Sequence, residues 1–213
     1  MGSGADGWLA ELDAGRERAG LRTVTELLEL ARHGTVLHDP FSALVSRRVV
    51  LGTGNTLYPG VTLECDEDSV CELGDGNVLR PGTAVLAAAG GTVRIGSGNL
   101  IGDGGARLKA NRSDAEVRVG DRTRLAGGPE VVGRSLIGDG CQLIGAITAQ
   151  SVRLAGGGDH THPDPDGRGA VLKGFGLARG LVLERGEVVN GAGDFAAAPV
   201  ERQRAYHPGA PRL

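Results

Sequence analysis

The chain predicts an all-β fold, a parallel β-helix of about seven coils with a short helical segment at its N-terminus. Two observations predict it. Six-residue steps of the form aliphatic-Gly-x-x-Asn/Thr/Cys-x recur: Leu51-Gly52-Thr53-Gly54-Asn55-Thr56, Leu73-Gly74-Asp75-Gly76-Asn77-Val78 and Ile95-Gly96-Ser97-Gly98-Asn99-Leu100, then weaker copies from Val119 and Ile137. The composition agrees, because 38 glycines and only 3% aromatics suit a narrow interior filled by aliphatic ladders rather than a bulky core.

Each hexad makes one short strand and one turn, and three hexads close a triangular coil. The aliphatic first residue is expected to point inward and stack on its equivalent one coil away. The fifth position also faces inward, so Asn55, Asn77, Asn99, Thr123 and Cys141 form an internal ladder whose polar members must satisfy one another and nearby backbone. Glycines at the second and fourth positions suit tight corners.

The spacing sets the coil. Leu51 to Leu73 and Leu73 to Ile95 are 22 residues, Ile95 to Val119 is 24 and Val119 to Ile137 is 18. The bare coil is therefore 18 residues, and three coils carry insertions at 65–70, 87–92 and 110–116. Sixfold spacing is expected to resume at Val171, Leu177, Leu183, Val189 and Phe195.

The ends differ from the repeats. Residues 1–7 read as a flexible start, Trp8 to Ala14 as a short helix, and Thr23-Val24-Thr25-Glu26 as a capping box ahead of Leu27, Leu28 and Leu30. This arm, residues 1–35, is expected to plug the open end of a β-helix spanning 36–195, where strand edges would otherwise be exposed. Residues 196–213 read as an extended or disordered tail, able to drape over a neighbouring subunit.

The hexads identify the chain as resembling the hexapeptide-repeat superfamily of left-handed parallel β-helices; the hand of the helix is implied by that resemblance. The run Gly34-Thr35-Val36-Leu37-His38-Asp39-Pro40, with Leu51-Gly52 and Tyr58-Pro59-Gly60-Val61, is most similar to the start of the acetyltransferase domain of N-acetylglucosamine-1-phosphate uridyltransferases. The resemblance implies an acyl-CoA-dependent O- or N-acyltransferase acting on a sugar, amino sugar or small amine. Its co-substrate would be an acyl-CoA in an intersubunit cleft. Narrow prisms with flat faces also pack naturally around a closed axis, so a homotrimer is expected.

Net charge is −3 with acids and bases interspersed, which gives no electrostatic case for nucleic acid or an anionic membrane. No apolar run is long enough to span a bilayer. Three cysteines, an odd number, point to a reducing compartment and a cytoplasmic protein. Cys141 reads as an inward ladder residue rather than a nucleophile.

The richest chemistry lies in the longest interruption, residues 156–169. It carries Asp159, His160, His162, Asp164, Asp166 and Arg168 on a loop leaving a rigid scaffold. Histidine is a base near neutral pH, and a carboxylate can fix its tautomer. By the family resemblance, His160 or His162 is the general base, Asp159 or Asp164 its orienter, and Asp164 and Arg168 contact substrate. A second polar segment supplies Lys109, Asn111 and Arg112 as further substrate contacts. The alternative is a hexapeptide protein that transfers no acyl group: a metal-dependent lyase or hydratase similar to γ-class carbonic anhydrases, or a small-molecule-binding scaffold. No metal is expected. Were the protein metal-dependent, His160 and His162 would be ligands, although their one-residue spacing departs from the γ-class pattern.

Overall fold

The computed structural model describes residues 4–211 and is a parallel β-solenoid with two short helices. Residues 1–3, part of the expected flexible start, lie outside the described residues, as do 212–213 of the tail. Three faces run the length of the helix, and the third contains seven strands, from Val50–Leu51 to Val182–Leu183.

The inward ladders follow the hexads. On the first face Leu57, Leu79, Ile101, Leu125 and Leu143 pair in register and have no exposed surface. Val45, Leu63, Val85, Leu108, Val131 and Ala149 pair in register on the second face, and Leu73, Ile95, Val119, Ile137 and Leu154 on the third, all buried. Each fully buried leucine contributes about 2 kcal/mol of burial free energy, repeated coil after coil.

The amide ladder is also realised. Asn55, Asn77, Asn99, Thr123 and Cys141 are all buried. Asn77 Nδ2 donates to Gly74 O (3.1 Å) and Gly96 O (2.9 Å), closing its own corner and the next. Asn99 Oδ1 accepts from the Thr123 backbone N–H and hydroxyl, both at 2.7 Å. The two corner glycines have separate jobs. The fourth-position Gly54, Gly76, Gly98 and Gly140 have φ between 64 and 67°. The second-position glycines instead permit close stacking: a Cβ on Gly52 would lie 2.7 Å from the Gly74 backbone.

The insertions widen the coil. Four extra residues add two to each of two strands, which preserves the inside–outside alternation. They build two further inward ladders, Cys65–Ala87–Ala110 and Cys71–Val93–Val117, all buried. The thiols are therefore interior groups, free and buried in all three cases. Burial pushes those of Cys71 and Cys141 up to about 12. Little thiolate forms at pH 8, so the native protein should be inert to a thiol-specific chromogenic disulfide and should release three equivalents of reaction in denaturant. Rapid reaction of the native chain would contradict this packing.

The last coils depart from the expected register. Leu172 and Ala178, rather than Val171 and Leu177, continue the inward ladders, pairing with Leu143 and Ala149. Leu183 and Val189 are inward and buried as expected. The strand Val171–Arg179 runs without a break from the first face onto the second, bending at Gly174 and Gly176 (φ 117 and 118°).

Both ends are covered. Helix α1, Gly4–Arg18, is longer than the Trp8–Ala14 expectation and buries Arg16, whose guanidinium donates to the carbonyls of Arg22, Pro40, Phe41 and Ala43. Helix α2, Val24–Arg32, starts at the capping box and seats Leu27 in the interior cluster of the first coil. At the other end, Val200–Arg202 pairs antiparallel with Glu187–Asp194, and a 3-10 turn follows over Gln203–Tyr206. The expected extended or disordered tail is thus replaced by an ordered segment through residue 211, with Gln203 buried and donating to Gly169 O at 2.7 Å.

Candidate active-site loop and pocket

The loop leaves the third face after Arg153–Leu154 and returns to the first face at Val171. Backbone bonds close its neck: Gly157 N donates to Asp139 O, Gly158 N to Gly167 O and Gly169 N to Gly158 O, each at 2.9 Å. Glycines are needed there because a Cβ at Gly169 would lie 2.5 Å from Asp139 O.

The two histidines occupy different environments. The His162 ring lies across the neck, where a Cβ on Gly158 or Gly167 would come within 2.6 or 2.7 Å of it. Its Nδ1 is 2.9 Å from Asp164 O, and because a carbonyl only accepts, the proton is on Nδ1. The His162 carbonyl accepts from Arg168 Nε at 2.8 Å. His160 is exposed on the outer turn and makes no hydrogen bond among the described residues.

Neither carboxylate orients a histidine ring as the sequence suggested. Asp159 Oδ1 accepts from the Thr161 backbone N–H (2.9 Å) and hydroxyl (2.6 Å). The Thr161 side chain first, then its backbone, holds the Asp159 carboxyl below its ordinary range, with the His160 and Arg122 charges adding to the effect. Asp164 accepts from the backbone N–H of Asp166 at 3.0 Å and pairs with Arg204 of the tail. Asp166 is flanked by Arg202 (3.4 Å) and Arg204 (3.6 Å).

Other residues of the loop and the tail line a pocket of about 460 Å³. The outer surface of the first face supplies Gln142, Ile144, Val171, Lys173 and Val188, the loop supplies His160 and Arg168, and the tail supplies Gln203, Tyr206 and His207. Arg168 Nη1 is 3.5 Å from His207 Nε2. Asp159, His160, His162, Asp164 and Arg168 are therefore gathered on one loop. Lys109, Asn111 and Arg112 are not with them: Lys109 lies in the second-face strand Ala106–Ala110, and Asn111 and Arg112 sit at the corner that follows, where Arg112 pairs with Asp114 at 3.3 Å. Among the described residues no group of three His, Cys, Asp or Glu side chains is placed to hold a metal ion. None of the described helices is long and apolar enough to cross a membrane.

No protein-family profile matches the chain, and no curated protein does. Solved structures similar to it include a mutant of perosamine N-acetyltransferase from Caulobacter crescentus in complex with CoA and GDP-perosamine, at 21% identity and a TM-score of 0.32, covering 83% of this chain. PerB from Caulobacter crescentus, in complex with the same two molecules, is similar at 19% identity and a TM-score of 0.22, again over 83% of this chain. The chain spans 63% and 64% of the length of these two proteins.

From the sequence, Tyr206-His207-Pro208 of the tail could reach a site on a neighbouring subunit; Tyr206 and His207 instead line the pocket of their own chain, and the signal for that was the charge of Arg202 and Arg204, which complements the aspartates of the loop. Lys173 carries no motif that singles it out, and six-residue spacing sets it, Arg179 and Arg185 on three different sides of the prism.

Proposed function

We propose that the chain is an acyl-CoA-dependent acyltransferase in which His160 is the general base on the hydroxyl or amine of a sugar, amino sugar or small amine. The observation that carries this reading is the division between the two histidines. His162 is tied into the neck of the loop, whereas the His160 ring lines the pocket with no partner of its own among the described residues. The resemblance of residues 33–105 to a hexapeptide acetyltransferase domain supports the same chemistry.

His160 accepts the acceptor's proton as the acceptor oxygen or nitrogen bonds to the thioester carbonyl carbon. The tetrahedral adduct then collapses with cleavage of its C–S bond, and the imidazolium returns the proton to the departing thiolate. The neighbouring Asp159 carboxyl is held in the ionised form, chiefly by the Thr161 hydroxyl and backbone N–H. Backbone N–H groups serve the oxyanion.

The donor is assigned to a cleft between subunits of a homotrimer. Outward-facing Val50 (61% exposed) and Val182 (58%) on the third face support shared faces between chains. The test combines light scattering with a thiol-release assay using acetyl-CoA and a panel of amino sugars and amines. A trimer that releases thiol only with an acceptor is expected. A monomer at micromolar concentration overturns the shared cleft. A protein that ignores acetyl-CoA but carries a stoichiometric metal overturns the acyltransferase reading in favour of a metal-dependent lyase.

A further inference from the structure

The charges around the pocket are unevenly shared. All three carboxylates of the loop are engaged elsewhere: Asp159 by Thr161 with Arg122 3.9 Å away, Asp164 by Arg204, and Asp166 between Arg202 and Arg204. The pocket lining contains no Asp or Glu. It does contain Arg168 and Lys173, neither of which makes an ion pair among the described residues, together with His160 and His207. Arg168 is also aimed: its Nε is fixed on the His162 carbonyl at 2.8 Å, which leaves its terminal nitrogens toward His207. Lys173 stands on the outer surface of the first face, because its neighbour Leu172 occupies the inward ladder.

We propose that this pocket binds a phosphate group of the acceptor, through Arg168 and Lys173 with His207 on the tail side. Two fixed positive charges match the charge of about −1.5 to −2 on a phosphate ester better than that of a single carboxylate. The same pocket presents His160, so the molecule whose phosphate is held there is also the one whose nucleophile the base reaches. The assignment to the acceptor rests on the acyltransferase reading; the anion site itself does not.

The test is calorimetric titration of the full chain with sodium pyrophosphate at constant ionic strength, with and without saturating coenzyme A. Wild type is expected to bind saturably, and Lys173→Gln to weaken binding about tenfold, the scale of one lost charge-assisted contact. Arg134→Gln, an exposed position on the third face, should bind as wild type. Arg168→Gln should also weaken binding, but it removes a bond that shapes the loop, so exposed Lys173 is the deciding variant. Unchanged binding by Lys173→Gln, or no binding by wild type, overturns the site. Displacement of pyrophosphate by coenzyme A overturns the assignment to the acceptor, since the anion held would then be the donor's. Failure of acyl transfer with this binding pattern intact fells the enzymatic reading and leaves the anion site standing.

Discussion

Replacing Asn77 by alanine is expected to destabilise the protein by at least about 3 kcal/mol, measured as a fall in the urea midpoint at unchanged slope. Asn77 has no exposed surface. Its Oδ1 accepts from Asn99 N at 3.0 Å and Asn99 Nδ2 at 2.9 Å, while its Nδ2 holds the Gly96 carbonyl at 2.9 Å. Alanine strands the two buried Asn99 donors, each at about 1–3 kcal/mol, deprives the part-buried Gly96 carbonyl of its donor, and opens a void beside them. The Gly74 carbonyl suffers less, because Asn55 Nδ2 still donates to it at 2.9 Å. Asn55→Ala should therefore cost less than Asn77→Ala, since Asn55 Oδ1 serves only the Asn77 N–H. A loss below about 1 kcal/mol at Asn77 would reduce the amide ladder to a filler of space, because it would mean that the stranded groups find partners.

What the sequence could reveal depended on whether two solutions shared one pattern. The ladder through Leu57, Leu79, Ile101 and Leu125 was legible because each of these residues starts a hexad and only one face can take it. The widened coils were hidden because two residues added to each of two strands leave the alternation intact. Cys65 and Cys71 consequently read as flanks of a loop and turn out to be interior rungs. After the long loop, Val171 and Leu172 are adjacent aliphatics, and the coil from Leu172 to Val189 is 17 residues rather than 18, so spacing could not choose between them. Leu172 won because it continues the Leu143 stack, while Val171 turned outward and was covered instead, at 7% exposure. The loop at 156–169 was recognisable as the place for chemistry from its residue types. The roles within it were not, because they are set by groups that periodicity cannot place: the Asp164 carbonyl, the Gly158 and Gly167 backbone, and Arg204 arriving from the tail.

The two histidines should separate in kinetics. His160→Ala is expected to lower kcat by about 10²–10⁴-fold, the usual contribution of a positioned general base, with the unfolding midpoint unchanged within about 0.5 kcal/mol because the side chain is exposed and without a hydrogen bond among the described residues. The limb of the pH–rate profile that rises as the base loses its proton should disappear with it. His162→Ala should behave differently. It removes the donor to Asp164 O and the ring that fills the space between Gly158 and Gly167, so stability falls by about 1–2 kcal/mol and KM worsens as the loop loses its shape, while the pH limb remains. The distinction follows from where each imidazole spends its nitrogens. Nδ1 of His162 already holds the loop together, and any motion of that ring toward a substrate would break its bond to the Asp164 carbonyl and leave that carbonyl with the Gly167 N–H alone. Neither nitrogen of His160 is engaged by a hydrogen bond among the described residues, so the ring can turn to a substrate at no cost to the loop. Loss of the pH limb in His162→Ala together with full turnover in His160→Ala would reverse the assignment, and would require the neck of the loop to open during the reaction.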